Sequence, residues 1–245
     1  MSDGRAVTRI AQAFPDRVEV RGRDLAGELM GRLTFTEYFH LLLTGEEPTE
    51  EQRYFLDLVL VAIAEHGLMP TNVAARMTLA ADPASLQGAV AAGILGAGPV
   101  VLGTAEECAL LLASGGEPAK VAREIRAAGG RVPGFGHPVH TPVDPRAERI
   151  LALADERGIA GENVRRAQAL RDAVAREWER PLPMNVSLPI AAVLLDLGFP
   201  PASVKAIPIL ARTASLLAHL AEEREQPLGL HLARAAEESV EYRDA

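Results

Sequence analysis

Apolar residues return every three or four positions in 54–65, 104–113, 147–156, 164–178 and 202–223, as one buried face of a helix requires. No stretch sustains the period-two alternation of a half-buried strand. The ends of these segments carry matching punctuation. Thr34 followed by Glu37 predicts a capping box, and Asp144-Pro145 opens a helix that closes near Gly158. Pro200-Pro201 separates a helix containing Leu194 from one beginning near Ala202. The longer segments are built from Ala, Leu, Arg and Glu, and aromatics make up only 4% of residues, so the expected fold class is all-α. No internal repeat and no long linker is present, so any domain boundary falls within a short turn.

One stretch, 83–105, carries no charge over a length that could cross a bilayer. Its Gly88, Gly93, Gly96, Gly98, Pro99 and Gly103, with no aromatic belt and no flanking Lys or Arg, instead predict a buried helix followed by a glycine turn. A chain of 245 residues can bury a sizeable core, as one large domain or a large domain with a smaller one. Acidic residues (33) outnumber basic ones (25), and no basic cluster offers a phosphate-binding footprint, so nucleic acid is not an expected partner. A single cysteine, Cys108, excludes an internal disulfide or thiolate metal cage and suits a reducing compartment. Met1-Ser2-Asp3-Gly4-Arg5 leads into mixed polar sequence rather than an apolar run, so the expected location is cytoplasmic, without a membrane.

Two stretches resist the helical reading: 129–142, with four glycines, three prolines and two histidines, and 96–104. The first could bring backbone N–H groups close to an anion or nucleotide, or could be no more than a rigid turn between helices. It lacks the arrangements of a dinucleotide or phosphate loop. His137 and His140 with Asp144 raise the question of a metal, but no third ligand of suitable type lies nearby and prolines constrain the geometry; no metal is expected. The stronger functional reading is His137 as a general acid or base beside Arg146, with a plain structural role as the alternative. His66, in Glu65-His66-Gly67, reads equally as a helix-end cap. His40 and His219 read as helix-edge residues, His231 as a surface one, and Cys108 as a small core residue.

Taken in order, these features resemble a known family. Gly134-Phe135-Gly136-His137 followed by Asp144-Pro145-Arg146-Ala147 is similar to the GFGH…DPRA signature of the citrate synthase family. Ala64-Glu65-His66-Gly67 resembles its helix-ending ADH element, Pro183-Met184-Asn185-Val186 its PNVD element, and Ala211-Arg212-Thr213-Ala214 with Ala218-His219 its late SRTVG…AH helix. The short length is closer to the citryl-CoA lyase module of ATP citrate lyase than to a full citrate synthase. The resemblance implies an all-α homodimer. Its large helical domain would comprise residues 1–104 and 200–245 and its smaller one 105–199, with the active site in the cleft between them. It also implies a coenzyme A thioester as substrate, with no tightly bound cofactor. The adenine end of CoA would meet the main chain of Val132, Pro133, Gly134, Phe135 and Gly136, while a dicarboxylate sits deeper, held by His66, Arg146 and Arg212. His137 would hydrogen-bond the oxaloacetate carbonyl, or take the citryl hydroxyl proton in the cleavage direction.

Three departures bear on the activity. Where the family pattern has the catalytic aspartate of PNVD this chain has Ser187, a poor base at neutral pH. Leu102 stands where citrate synthases place the histidine that steadies the thioester enol, a loss that the lyase branch shares and leucine cannot repair. Gln226-Pro227 replaces the pair whose arginine enters the partner subunit's site, and Arg224 reads as part of a solvated charged turn. Glu106 and Glu107 are the nearest spare carboxylates. Three readings follow: a citryl-CoA lyase-like enzyme, a lyase for a different 3-hydroxyacyl-CoA, and a catalytically weakened CoA- and dicarboxylate-binding homologue with a regulatory role.

Overall fold

The computed structural model describes residues 6–180 and 182–244; the segment Met1–Arg5, weighed above for export, lies outside them. The described residues form eleven α-helices and one small antiparallel sheet, in keeping with the all-α expectation. Two compact units divide the chain, Met1–Asp57 and Leu58–Ala245.

The first unit holds the sheet, in the order β1 (Ala11–Ala13), β2 (Val18–Val20), β3 (Arg23–Asp24), with Ala11 opposite Val20 and Glu19 opposite Asp24. Strands of two or three residues are too short to show alternation, which is why the sequence pattern did not reveal them. A π-helical turn, Leu25–Leu29, follows, its first N–H groups accepted by Asp24. In α1 (Phe35–Thr44) the expected capping box forms, Thr34 and Glu37 each accepting the other's backbone N–H. His40 is buried rather than at a helix edge, with Nδ1 2.9 Å from the Glu46 carbonyl oxygen.

The unit boundary falls within α2 (Glu50–Ala64). The remaining helices are α3 (Pro70–Ala81), α4 (Leu86–Leu95), α5 (Thr104–Ala113), α6 (Pro118–Ala127), α7 (Pro145–Glu156), α8 (Glu162–Trp178), α9 (Ser187–Asp196), α10 (Ala206–Glu225) and α11 (Gly229–Glu238). Helix α9 is apolar on every side, and a helix of that kind must be enclosed. Ser187 to Leu194 are all buried, packed against α5, α7 and α8. Pro189 falls in the first turn, where its missing N–H would have had no helical partner. A second core joins Ala75 and Leu79 of α3, Ala89 of α4, and Leu216 and Leu220 of α10.

The uncharged stretch forms only the ten residues of α4, buried along one side through Ala89 and Gly93, while Leu95 and Val100 are exposed. By length and composition alone, Pro201–Glu225 is the described helical segment apolar enough to cross a membrane; its Ile207, Ala211, Leu216 and Leu220 lie in the protein core. A 3₁₀ turn, Pro201–Ser203, delays the start of α10 to Ala206. Arg76 of α3 is fully buried and pairs at 2.8 Å with Glu223 of α10, whose carboxylate also accepts the N–H groups of Leu228 and Gly229 at the start of α11. Three helices thus meet on one satisfied buried ion pair.

The carboxylate at the end of α9 does a similar service for α8. Asp196 accepts the backbone N–H groups of Gly161, Asn163 and Val164 and the Asn163 side-chain amide, each at 2.9 Å. It caps from across the fold a helix whose own N-cap, Gly161, has no side chain. Replacing Asp196→Ala is expected to lower unfolding free energy by about 2–3 kcal/mol, since several N–H groups lose their acceptor together. Asp196→Asn should cost less, and denaturant titration followed by circular dichroism reads both.

Candidate active site

A cavity of about 780 Å³ opens in the second unit, a size suited to a small-molecule ligand. The turn after α2 brings in His66, the loop before α5 brings Leu102, and the glycine-rich loop brings Val132 to Pro138. The start of α7 adds Arg146, the start of α9 adds Ser187, and α10 adds Arg212. All the residues singled out for substrate, CoA and catalysis therefore line one cavity.

The glycine loop is locked against the strand-like segment before α9. Gly136 N–H donates to the Pro183 carbonyl at 2.8 Å, Asn185 N–H to Gly134 at 2.9 Å, and the Asn185 amide to the Gly136 carbonyl at 3.0 Å. Gly134 has φ +81°, and a Cβ there would meet Leu188 Cβ at 2.6 Å and Cys108 Sγ at 2.9 Å. Both the backbone shape and the close approach demand glycine. Because the N–H groups of Phe135 and Gly136 are engaged internally, they are not available to cradle an anion. Cys108 is buried behind the loop, and burial pushes its thiol well up from the ordinary value, as befits an inert core residue.

Asp144 is fully buried and organises the other wall. Its Oδ1 accepts from the Arg146 backbone N–H at 3.0 Å and from Nε at 3.1 Å, its Oδ2 from Arg146 Nη2 at 2.9 Å and from Val186 N–H at 3.1 Å. Burial works to raise its pKa, but the Arg146 guanidinium and the N–H donors hold it below the ordinary carboxylate value. One side chain thus caps α7, aims Arg146 and fixes the residue before Ser187.

Three imidazoles gather at the mouth of this wall. His137 and His140 stack with ring centroids 4.4 Å apart, and His66 lies 5.1 Å from the first and 5.3 Å from the second. His66 Nε2 and His140 Nε2 are 3.3 Å apart. Burial lowers the pKa of His66, helped by Arg146 and His140, and burial with His140 lowers that of His137. The cluster's nitrogens lie within 4.8 Å of one another, close enough to pose the metal question again, with His66 rather than Asp144 as third member. The hydrogen bonds answer it against His137 as a ligand. Its Nδ1 accepts N–H groups from Val139 at 3.1 Å and His140 at 2.8 Å, which leaves the proton of the neutral ring on Nε2. A metal-bound imidazole ordinarily donates from its other nitrogen.

His137 Nε2–H and Arg146 Nη2 stand 3.5 Å apart, both donors. Arg212 is buried; its Nη1 donates to Asn72 Oδ1 at 2.8 Å, while Arg212 Nε and Asn72 Nδ2 have no hydrogen-bond partner among the described residues. Such buried donors are costly unless an acceptor meets them. Ser187 opens α9, and Leu102 takes the left-handed conformation at φ +68° on the facing loop. Of the two spare carboxylates, Glu106 pairs with Lys205 at 3.1 Å, and Glu107 is the one acid lining the cavity among the described residues. Sequence reasoning did not find Asn72, and it gave Glu65 no role beyond its place in the element that carries His66. For the face that Arg212 shares, polar residues at 212, 215 and 219, three and four positions apart on α10, were the available signal.

Comparison with known proteins places this geometry. A citrate synthase-like protein, oryE, from Aspergillus oryzae is 32% identical over 84% of this chain and 49% of its own length. A citrate synthase from Saccharolobus solfataricus is 26% identical over 86% of this chain and 58% of its own. The chain thus spans about half the length of the curated relatives it matches. Among solved structures, citryl-CoA lyase from Hydrogenobacter thermophilus superposes with a TM-score of 0.85 at 27% identity, covering 98% of this chain and 95% of that one. The model of the citrate synthase C-terminal domain matches residues 6–235, a range that holds the glycine loop, both arginines and all three clustered imidazoles, and the chain belongs to the citrate synthase family.

Proposed function

We propose that this protein is a citryl-CoA lyase-like enzyme, making or breaking the carbon–carbon bond between an acetyl-CoA-type thioester and oxaloacetate or a related keto acid. The observation that carries the reading is the convergence of His137 Nε2–H, Arg146 and Arg212 on one cavity. A wall of fixed cationic and neutral donors fits a ligand with carboxylates and a carbonyl oxygen. The structural match to citryl-CoA lyase, at a TM-score of 0.85, supports the lyase reading.

In this reading Arg146, Arg212 and His66 bind the carboxylates. His137 donates from Nε2 to the keto oxygen and steadies the charge that develops there. Its tautomer favours donation over the proton-accepting role, because a base at Nε2 would need its proton on Nδ1, facing two N–H groups. The thioester arm lies along Val132 to Gly136, against Leu102. With Ser187 unable to act as a base, Glu107 carries the proton at the thioester-side carbon, taking it from there in condensation and returning it in cleavage, while the proton of the citryl hydroxyl is exchanged with solvent water held beside His137 Nε2–H. No tightly bound cofactor enters this scheme. The proposal extends to a cytoplasmic homodimer, for which the single buried Cys108 and the family's shared-site ancestry are the support.

Oxaloacetate release from citryl-CoA, followed through coupled NADH oxidation, is expected for the purified protein and should fall at least about a hundredfold in His137→Ala. Release no faster than in that variant removes citryl-CoA cleavage and favours a different acyl-CoA or a binding role. Glu107→Gln should slow deuterium exchange into the acetyl-CoA methyl group by about 10²-fold or more, while CoA affinity stays within a few-fold. The depressed pKa of His137 makes a separate prediction. At pH 6.5, where an ordinary imidazole is half protonated, its ring should be mostly neutral with the proton on Nε2, as read by long-range ¹H–¹⁵N NMR.

A further inference from the structure

One face of α10 carries Arg212, Ser215, His219, Glu222 and Glu223, three or four residues apart, so they share a side of the helix. Arg212 belongs to the cavity wall, but the next members point to a partner that the reaction scheme does not use. Ser215 Oγ donates to Glu65 Oε2 at 2.6 Å, and His219 Nε2 lies 3.0 Å from the same oxygen. On the other side of the His219 ring, Arg76 Nε and Nη2 approach Nδ1 at 3.1 and 2.8 Å.

A guanidinium has no acceptor, so His219 Nδ1 must carry the lone pair and Nε2 the proton. The chain of donation therefore runs in one direction, from Arg76 through His219 to Glu65. Arg76 is itself held by Glu222 and Glu223 and is fully buried, so the chain starts from a fixed point. At its far end Glu65 Oε1 accepts the backbone N–H groups of His66 at 2.8 Å and Gly67 at 2.6 Å. These are the two residues of the turn that carries His66 into the cavity, where Gly67 takes φ +72°. Each oxygen of Glu65 thus has two donors, one pair from α10 and one from the turn.

We propose that Glu65, held by Ser215 and His219 and through His219 by Arg76, is a positioning residue that sets the place of His66 in the cavity. Arg212 and Ser215 sit one turn apart, so the same helix that delivers one ligand contact fixes the other. Since His66 is a ligand contact only in the reading above, the functional consequence rests on that reading, whereas the geometry does not.

The test compares His219→Gln, which keeps an acceptor toward Arg76 and a donor toward Glu65, with His219→Leu, which keeps neither. In the full-length protein, long-range ¹H–¹⁵N NMR should show His219 as the Nε2–H tautomer. The His66 ring signals should move in His219→Leu and stay near their places in His219→Gln. Oxaloacetate affinity by calorimetry should fall about tenfold in the leucine variant, the size of one well-placed polar contact, and recover in the glutamine one. Should His219→Leu fail to fold, Ser215→Ala removes the other side-chain donor to the same oxygen and should shift His66 in the same direction by less. An Nδ1–H tautomer at His219, unmoved His66 signals in the variants that fold, or a glutamine variant as impaired as the leucine one would overturn the proposal. If the His66 signals respond as expected but the unmodified protein neither binds oxaloacetate nor releases it from citryl-CoA, the positioning role stands and the lyase reading falls.

Discussion

The cavity depends on one buried carboxylate. Asp144 is removed from water, yet each of its oxygens is met by two donors, and those donors belong to three different parts of the chain's local architecture: the first turn of α7, the guanidinium of Arg146 and the backbone leading into α9. A buried charge costs several kcal/mol unless it is paired and hydrogen-bonded, and here the pairing is what locates the chemistry. The proline at 145 fixes the approach into the helix, while the guanidinium is kept planar and aimed. Remove the carboxylate and Arg146 loses its direction, Val186 its anchor, and Ser187 its fixed place at the head of an otherwise apolar helix.

Much of this was legible from the residues. The helical period identified α5, α7, α8 and α10, and Asp144-Pro145 announced a cap that the structure contains. The site residues named from the family resemblance do line one cavity, and all but Arg212, which lies inside α10, stand at an element terminus or in a loop, where backbone geometry rather than packing decides the position. What escaped detection was of two kinds. The strands of the first unit are shorter than one period of the pattern that would reveal them. Contacts across the sequence, such as Asp196 with the start of α8 or Glu65 with α10, leave no local trace, since either residue alone reads as an ordinary exposed acid.

The imidazole cluster shows how residue type and residue state differ. By composition and proximity alone His66, His137 and His140 resemble ligands for a cation. The two N–H groups on His137 Nδ1 decide otherwise, and the same two contacts turn the ring into a donor aimed beside Arg146.

Arg212 Nε and Asn72 Nδ2 are buried and have no acceptor among the described residues. Both nitrogens are enclosed by protein, so their desolvation is a cost that the fold itself carries. What the fold gains is the place of the guanidinium: the contact of Arg212 Nη1 with Asn72 Oδ1 ties the cavity-lining part of α10 to the first turn of α3.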